Sequence, residues 1–546
     1  MQKEMVKANI VVFIASFCTL VIELVAGRIL APFVGVSLYT WTSIIGVVLA
    51  GISVGAYLGG LIADRYPRPA TLGWLLFLSG LGAFAIAPLT NLIGGAEFQT
   101  SLMVRILLIT TFIFFVPSCL LGMISPVVVK LALNNLEKTG NVVGKIYAFS
   151  TLGSILGTFA TGFFLISWMG TRSILLMMGA ILVVSAPAFG GFFFRKKTLS
   201  LFLSLLLAII LLGGLSLYVG AAVWPAEVAR PTSPLDSLRK VYGYAFEPVL
   251  EEGTYFFKES NYYTIKLKKT PAEDSGSLET LVLDHLIHSY TDLKNPSNLE
   301  YEYIRMYEEV VRWQAAKRPS FNTMFIGGGG YTFPRFISAK YPKAAGIDVV
   351  EIDPEVTRVG QQFLGLSEAP RIQTFNGDAR WFVMSSKEKG KYDFVFGDAF
   401  NDLSVPYHLT TLEFTKQLRG LMKPNGLFLV NLIDSFKKGI FLPSYLRTLE
   451  EVFGKGNVHL ITYSSNYDNL GISTFVIVAS PQKLDMEDFT ATIRKQEGNG
   501  MICFVMPPER LQQYLSERPG FILTDDYVPV DNLIAPIFEE RFGYRG

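Results

Sequence analysis

At 546 residues the chain is long enough for several domains, and its composition, 50% hydrophobic with a mean hydropathy of +0.37, is more apolar than is usual for soluble proteins. A net charge of +2, with basic residues scattered between apolar runs, excludes a nucleic-acid footprint. Three cysteines (Cys18, Cys119, Cys503) and four histidines without zinc-site spacing exclude a disulfide scaffold, and no metal is expected.

Up to about Val223 charges are sparse. Apolar runs long enough to cross a bilayer fall at about Ile10 to Val25, Trp41 to Ile62, Leu72 to Ile93, Ile106 to Val128, Phe149 to Met169, Ile174 to Phe194 and Leu199 to Val223, so a seven-span membrane domain over residues 1–224 is expected, with the lipid bilayer as its partner. Glu23 and Arg28 are its candidate membrane-site residues: an ionisable group at that depth either pairs within the bundle or faces a polar cavity. Gly51, Gly55 and Gly59 recur every four residues, which suits close helix packing. The Lys/Arg bias puts the amino terminus inside, and seven spans then put the following half outside.

Residues 225–298 read as a Pro-containing linker and a small β-rich element, in which ESNYYTIKLKK and LETLVLDHLIHSYTDL alternate as strands do. Residues 299–546 read as an α/β domain. A helix from Glu300 to Trp313 carries Tyr301 and Tyr303. Four β runs follow, each stopping at Gly, Asp or Glu before helix-forming sequence, as parallel strands feeding crossover helices do. Their ends are Gly327, Gly328, Gly329 and Gly330; Glu351-Ile352-Asp353; Gly377-Asp378-Ala379; and Gly397-Asp398-Ala399. Glycines permit close approach of a ligand, Glu351 suits a ribose diol, and Asp378 suits an exocyclic amine; together they favour an adenosine-type ligand. Further strands bring the expected sheet to seven. The tail Thr524-Asp525-Asp526-Tyr527 is either a solvated turn or an acidic, aromatic rim for an amine.

The ordered set GGGGY, EID, GDA and DAFND (Asp398 to Asp402) resembles the polyamine aminopropyltransferases, the spermidine synthase family, whose motifs are GGGDG, EID, GDG or GDA and a DSSDP-like loop. The front half, with IELVAGRILAPFVG and LYTWTSIIGVVLAGISVGAYLGG, resembles the membrane module fused to such domains in some prokaryotic proteins, and GGLIADRYPR is similar to a loop of major facilitator transporters. The resemblance implies a Rossmann-like fold of the S-adenosylmethionine type and transfer of an aminopropyl or related alkyl group. The donor would be decarboxylated S-adenosylmethionine or S-adenosylmethionine, and the acceptor an amine or polyamine. By family position Asp398 is the base and Asp402 its amine-orienting partner. Gly327, Gly328, Gly329, Glu351 and Asp378 are the donor-binding candidates, and Tyr263, His288, Tyr303, Asp526 and Tyr527 are the candidates to face the acceptor. A homodimer is left open, and a cytoplasmic donor would require the enzyme half inside. Two positions depart from the family: its GGGDG Asp is Gly330 here, and the Gln of its ESxYQ stretch is Tyr263. An S-adenosylmethionine-dependent methyltransferase, or a polyamine- or nucleoside-binding transporter or sensor without turnover, remains as an alternative.

Overall fold

The computed structural model describes residues 2–94, 102–133, 139–190, 248, 250–272, 276–399, 405–497 and 503–537. The chain divides into two compact units, with the break at Glu251 and Glu252.

The first unit is helical. Six helices long and apolar enough to cross a membrane occur among the described residues: Glu4–Val34, Leu38–Arg65, Pro69–Ile93, Met103–Ala132, Thr139–Trp168 and Thr171–Gly190. The seventh expected span, Leu199 to Val223, lies outside the described residues. The fourth of these helices is broken at Met123, where Leu102–Gly122 hands over to Ile124–Ala132. Here the glycine stripe is explained. A Cβ on Gly51 would stand 2.8 Å from Ser118 Cβ, one on Gly55 would run into the Cys119 carbonyl, and one on Gly59 would stand 2.6 Å from Met123 Cα. The second and fourth of these helices therefore touch backbone to backbone, a contact only hydrogen side chains permit.

Glu23 is half-buried, and among the described residues no hydrogen bond or ion pair engages its carboxylate. It does not line the unit's cavity of about 560 Å³, which is walled by Ser16, Thr19, Ser125, Tyr147 and Ser150 near the Asp64–Lys130 ion pair of 2.7 Å. The pairing of Glu23 with Arg28 allowed by the sequence does not occur in this arrangement.

The second unit begins with a four-stranded antiparallel sheet, β1 (Thr254–Glu259), β2 (Thr264–Ala272), β3 (Gly276–Leu283) and β4 (Leu286–Thr291), in sequential order. Alternation along β2 and β3 buries Ile265, Leu267, Leu281 and Leu283 against Val356 and Val359 of the helix Pro354–Phe363 and against Leu364, which caps its end. Ser260, after β1, donates to Asp353 and ties this sheet to the next.

That next sheet holds β5 (Phe321–Ile326), β6 (Ala344–Glu351), β7 (Ile372–Asn376), β8 (Tyr392–Gly397), β9 (Met422–Ser435), β10 (Val458–Thr462), β11 (Ile472–Ala479) and β12 (Phe504–Val505), ordered β12-β10-β11-β9-β8-β5-β6-β7. It has eight strands among the described residues where seven were expected. The eighth, β12, pairs with β10 over two residues, too few to show any alternation in sequence. Strands β5 to β9 run parallel, and the central pair β5 and β8 is buried almost from end to end because helices cover both faces. The helix Glu302–Ala315 lays Ile304, Tyr307, Val310 and Val311 on one face, joining a core in which Phe325 stacks on Phe396 with ring centroids 4.5 Å apart. Each such buried ring contributes roughly 1.5–3 kcal/mol.

Strand order reverses at β5, which has β6 on one side and β8 on the other. A crevice therefore opens beyond the carboxyl ends of β5 and β8. At the opposite edge, Asp393 accepts from Lys423 at 2.7 Å and from the Asn322 amide at 2.8 Å, and Asp348 accepts from Lys391 at 2.9 Å and Tyr392 at 2.7 Å.

Candidate active site

β5 delivers the chain into Gly327, which adopts φ +99°, and a Cβ there would strike the Asp398 carbonyl. Glycine is thus what lets the turn after β8 lie against the turn after β5, and the Asp398 amide donates to Ile326 O at 2.9 Å.

The Asp398 side chain is held from two elements. Tyr303, on the helix Glu302–Ala315, donates its phenol to Oδ2 at 3.0 Å, and Asn431, on β9, donates Nδ2 to Oδ1 at 3.0 Å. Burial raises the carboxyl pKa to about 6, while the Asn431 and Tyr303 hydrogen bonds favour the charged form and limit the rise. Burial, reinforced by the Asp398 charge, pushes Tyr303 well above the usual phenol range, so it stays a donor.

A cavity of about 430 Å³ opens here, lined by Gly327, Gly328, Gly329, Gly330, His285, His288, Ser289, Tyr301, Tyr303, Tyr307, Asp398 and Asn431 among others. Asp398 is the only carboxylate lining it among the described residues. His288 is pushed down to about 4, chiefly by burial and then by His285, so it is neutral at pH 7. Aromatic walls and a single acid suit an amine cation or a sulfonium.

Glu351 sits at the end of β6 and is buried. Its Oε2 accepts the Gly328 amide at 2.7 Å and its Oε1 the Asp353 amide at 2.9 Å, so it shapes the glycine turn from behind. Burial raises its pKa and these backbone donors oppose the rise. Asp378 caps the helix Ala379–Ser385 through the Trp381 amide at 2.9 Å and meets His408 Nε2 at 2.8 Å. Neither Glu351 nor Asp378 lines the cavity itself.

Of the acceptor candidates, Tyr303 and His288 line the cavity, while Tyr263 stands behind it with its ring 6.5 Å from that of His288. Asp526 and Tyr527 are exposed and do not line it; in that segment it is Asp525 that is engaged, in an ion pair with Arg380. Asp402 lies outside the described residues.

Asn431, Ser289, Tyr307 and His408 were not anticipated. Asn431 did leave a signal, a lone amide inside the apolar run GLFLVNLI of β9. His408 and Ser289 left none, because Asp378, which His408 meets, and Gly330, on which Ser289 packs, are distant from them in sequence.

Residues 315–478 match the family model described as the spermine/spermidine synthase domain. A polyamine aminopropyltransferase of Vibrio vulnificus is 33% identical over 115 residues, which cover 21% of this chain and 38% of that protein. Polyamine aminopropyltransferase 2 of Aquifex aeolicus is 23% identical over 488 residues, 88% of each chain, a length that must run into the helical unit. A probable spermidine synthase from Corynebacterium glutamicum, solved as a crystal structure, is 22% identical and covers 50% of this chain and 97% of its own, with a TM-score of 0.43.

Proposed function

We propose, taking as premise that residues 315–478 carry a spermine/spermidine synthase domain, that the chain is a membrane-held transferase moving an aminopropyl or related alkyl group from an S-adenosyl-type donor to an amine. The observation that carries this reading is Asp398: a buried carboxylate at the crevice, oriented by Tyr303 and Asn431, with its pKa raised to about 6. Such a group is ionised at neutral pH yet basic enough to accept a proton.

In the step proposed, the amine nitrogen forms a bond to the tail carbon attached to sulfur while that carbon–sulfur bond breaks. The electron pair stays on sulfur and discharges the sulfonium to a neutral thioether, and the proton lost by the amine passes to Asp398. Tyr303 and Asn431 keep both carboxylate oxygens aimed, and Tyr301 and Tyr307 supply π faces for the two cations. Glu351 holds the glycine turn against which the nucleoside would rest. The six helices among the described residues that are long and apolar enough to cross a membrane support a bilayer location for the enzyme.

The test is incubation of the full-length protein, in detergent, with labelled S-adenosylmethionine or its decarboxylated form and a panel of amines, followed by mass analysis. An amine heavier by an alkylamine chain, with methylthioadenosine as co-product, supports the proposal. A methylated product would move the chain to the methyltransferases, and binding without product would make it a sensor.

A further inference from the structure

The far end of the cavity departs from what an aminopropyl tail requires. There the turn Gly327–Gly330 leads into the helix Thr332–Lys340, whose first turn, Thr332, Phe333 and Pro334, lines the cavity. Its N-cap residue is Tyr331, in the left-handed region at φ +55°, and no side chain caps the helix. Of its first turn, the Thr332 and Phe333 amides have no partner within the helix and carry the positive end of its dipole, while Pro334 has no N–H to offer.

Ser289 of β4 lines the same end. It is 5% exposed, and its hydroxyl has no hydrogen-bond partner among the described residues. It also explains Gly330: a Cβ built there would run into Ser289 Oγ and stand 3.2 Å from Thr291 Oγ1. No side chain fits at position 330 while Ser289 is present, so the acidic residue of the related motif is excluded sterically as well as absent.

We propose that Ser289, the Gly330 turn and the first turn of the helix Thr332–Lys340 form a carboxylate subsite, so that the donor this chain takes is S-adenosylmethionine with its amino-acid tail intact. This rests on the nucleoside-binding reading above. An ammonium-only tail would meet a neutral hydroxyl and the repelling end of a dipole, with no anion on that wall among the described residues. A carboxylate meets a donor hydroxyl and uncapped amides. The group then passed to the amine is the 3-amino-3-carboxypropyl chain: the nitrogen–carbon bond forms as the carbon–sulfur bond breaks, the electron pair remains on sulfur to leave methylthioadenosine, and the amine proton goes to Asp398.

Calorimetry on the full-length protein with S-adenosylmethionine, decarboxylated S-adenosylmethionine and methylthioadenosine tests this. S-adenosylmethionine is expected to bind at least tenfold more tightly than the other two, and Ser289→Ala to erode that margin while leaving methylthioadenosine unchanged. The double variant Ser289→Gly, Gly330→Asp makes room for a carboxylate on the protein and is expected to invert the order of the two sulfonium ligands. Tighter binding of the decarboxylated donor by the unaltered protein overturns the subsite but spares the nucleoside site. Failure of all three ligands to bind overturns both.

Discussion

The phenol of Tyr303 donates to Asp398 across 3.0 Å, and 95 residues of chain separate the two. Burial raises the pKa of the proposed base, and this contact, with that of Asn431, limits the rise, so it bears on the pH dependence of the reaction. Asp398 is raised to about 6, so the rate is expected to be flat above that pH and to fall as pH drops through it, when the base becomes protonated. Tyr303→Phe removes a hydrogen bond that favours the charged form; the pKa rises further and the falling limb moves to higher pH. A kcat–pH profile of both proteins checks this, and coincident profiles would remove Tyr303 from the mechanism.

Asp398→Asn keeps the shape of the side chain but cannot accept a proton. The loss in kcat is expected to be at least about a hundredfold, the scale of general-base effects, with donor Kd changed only a few-fold. Single-turnover rates beside calorimetry separate the two. Wild-type turnover in the variant would take Asp398 out of the mechanism.

Glu351 uses both oxygens on backbone amides, so Glu351→Gln leaves one of the Gly328 and Asp353 amides facing an amide nitrogen. Affinity for an adenosine ligand is expected to fall about tenfold, or about 1.4 kcal/mol, through the displaced glycine turn. Unchanged affinity in a folded variant would mean that the turn holds its shape without the carboxylate.

At the tail, Asp525 carries the contact to Arg380, and its amide donates to Glu413 at 2.9 Å, while Asp526 is exposed. Asp525→Ala is expected to speed amide exchange over residues 524–533 and to cost about 1 kcal/mol or less, whereas Asp526→Ala leaves exchange unaltered. Equal exchange in both variants would deny the clamp.

In the helical unit, Gly55→Leu would drive a side chain into the Cys119 carbonyl. Overpacking of this kind costs about 1–3 kcal/mol and often more against backbone. The variant should lose monodispersity on size exclusion, and a normal elution profile with unchanged melting would place the second and fourth spans farther apart.

What could be read from the sequence was what repeats locally. The runs FNTMFI and YDFVFG are buried nearly end to end and announce β5 and β8, and the glycine and acid that stop them announce the crevice. The two-residue β12 has no period to detect. Nor could the chain's linear order show that Ser289 fills the space beside Gly330, that His408 engages Asp378, or that Asn431 meets Asp398; these are meetings of distant segments, fixed only once the sheets pack. Glu23 stood out as a charge at membrane depth, yet the cavity formed beside Ser16 and Thr19, because helix rotation, which single residues do not encode, decides what faces inward.

The ion pairs of Asp393 with Lys423 and of Asp348 with Lys391 sit away from the crevice, while Asp398 faces it with no cation paired to it among the described residues. Cations neutralise the one set of acids, and hydroxyl and amide dipoles steady the other. Residues such as Ser289 and Gly330 at the far end of the cavity can therefore be exchanged, trading one donor for another, without disturbing the riveted edge beneath. The sheet works as a chassis on which new specificities can be tried at small risk to folding.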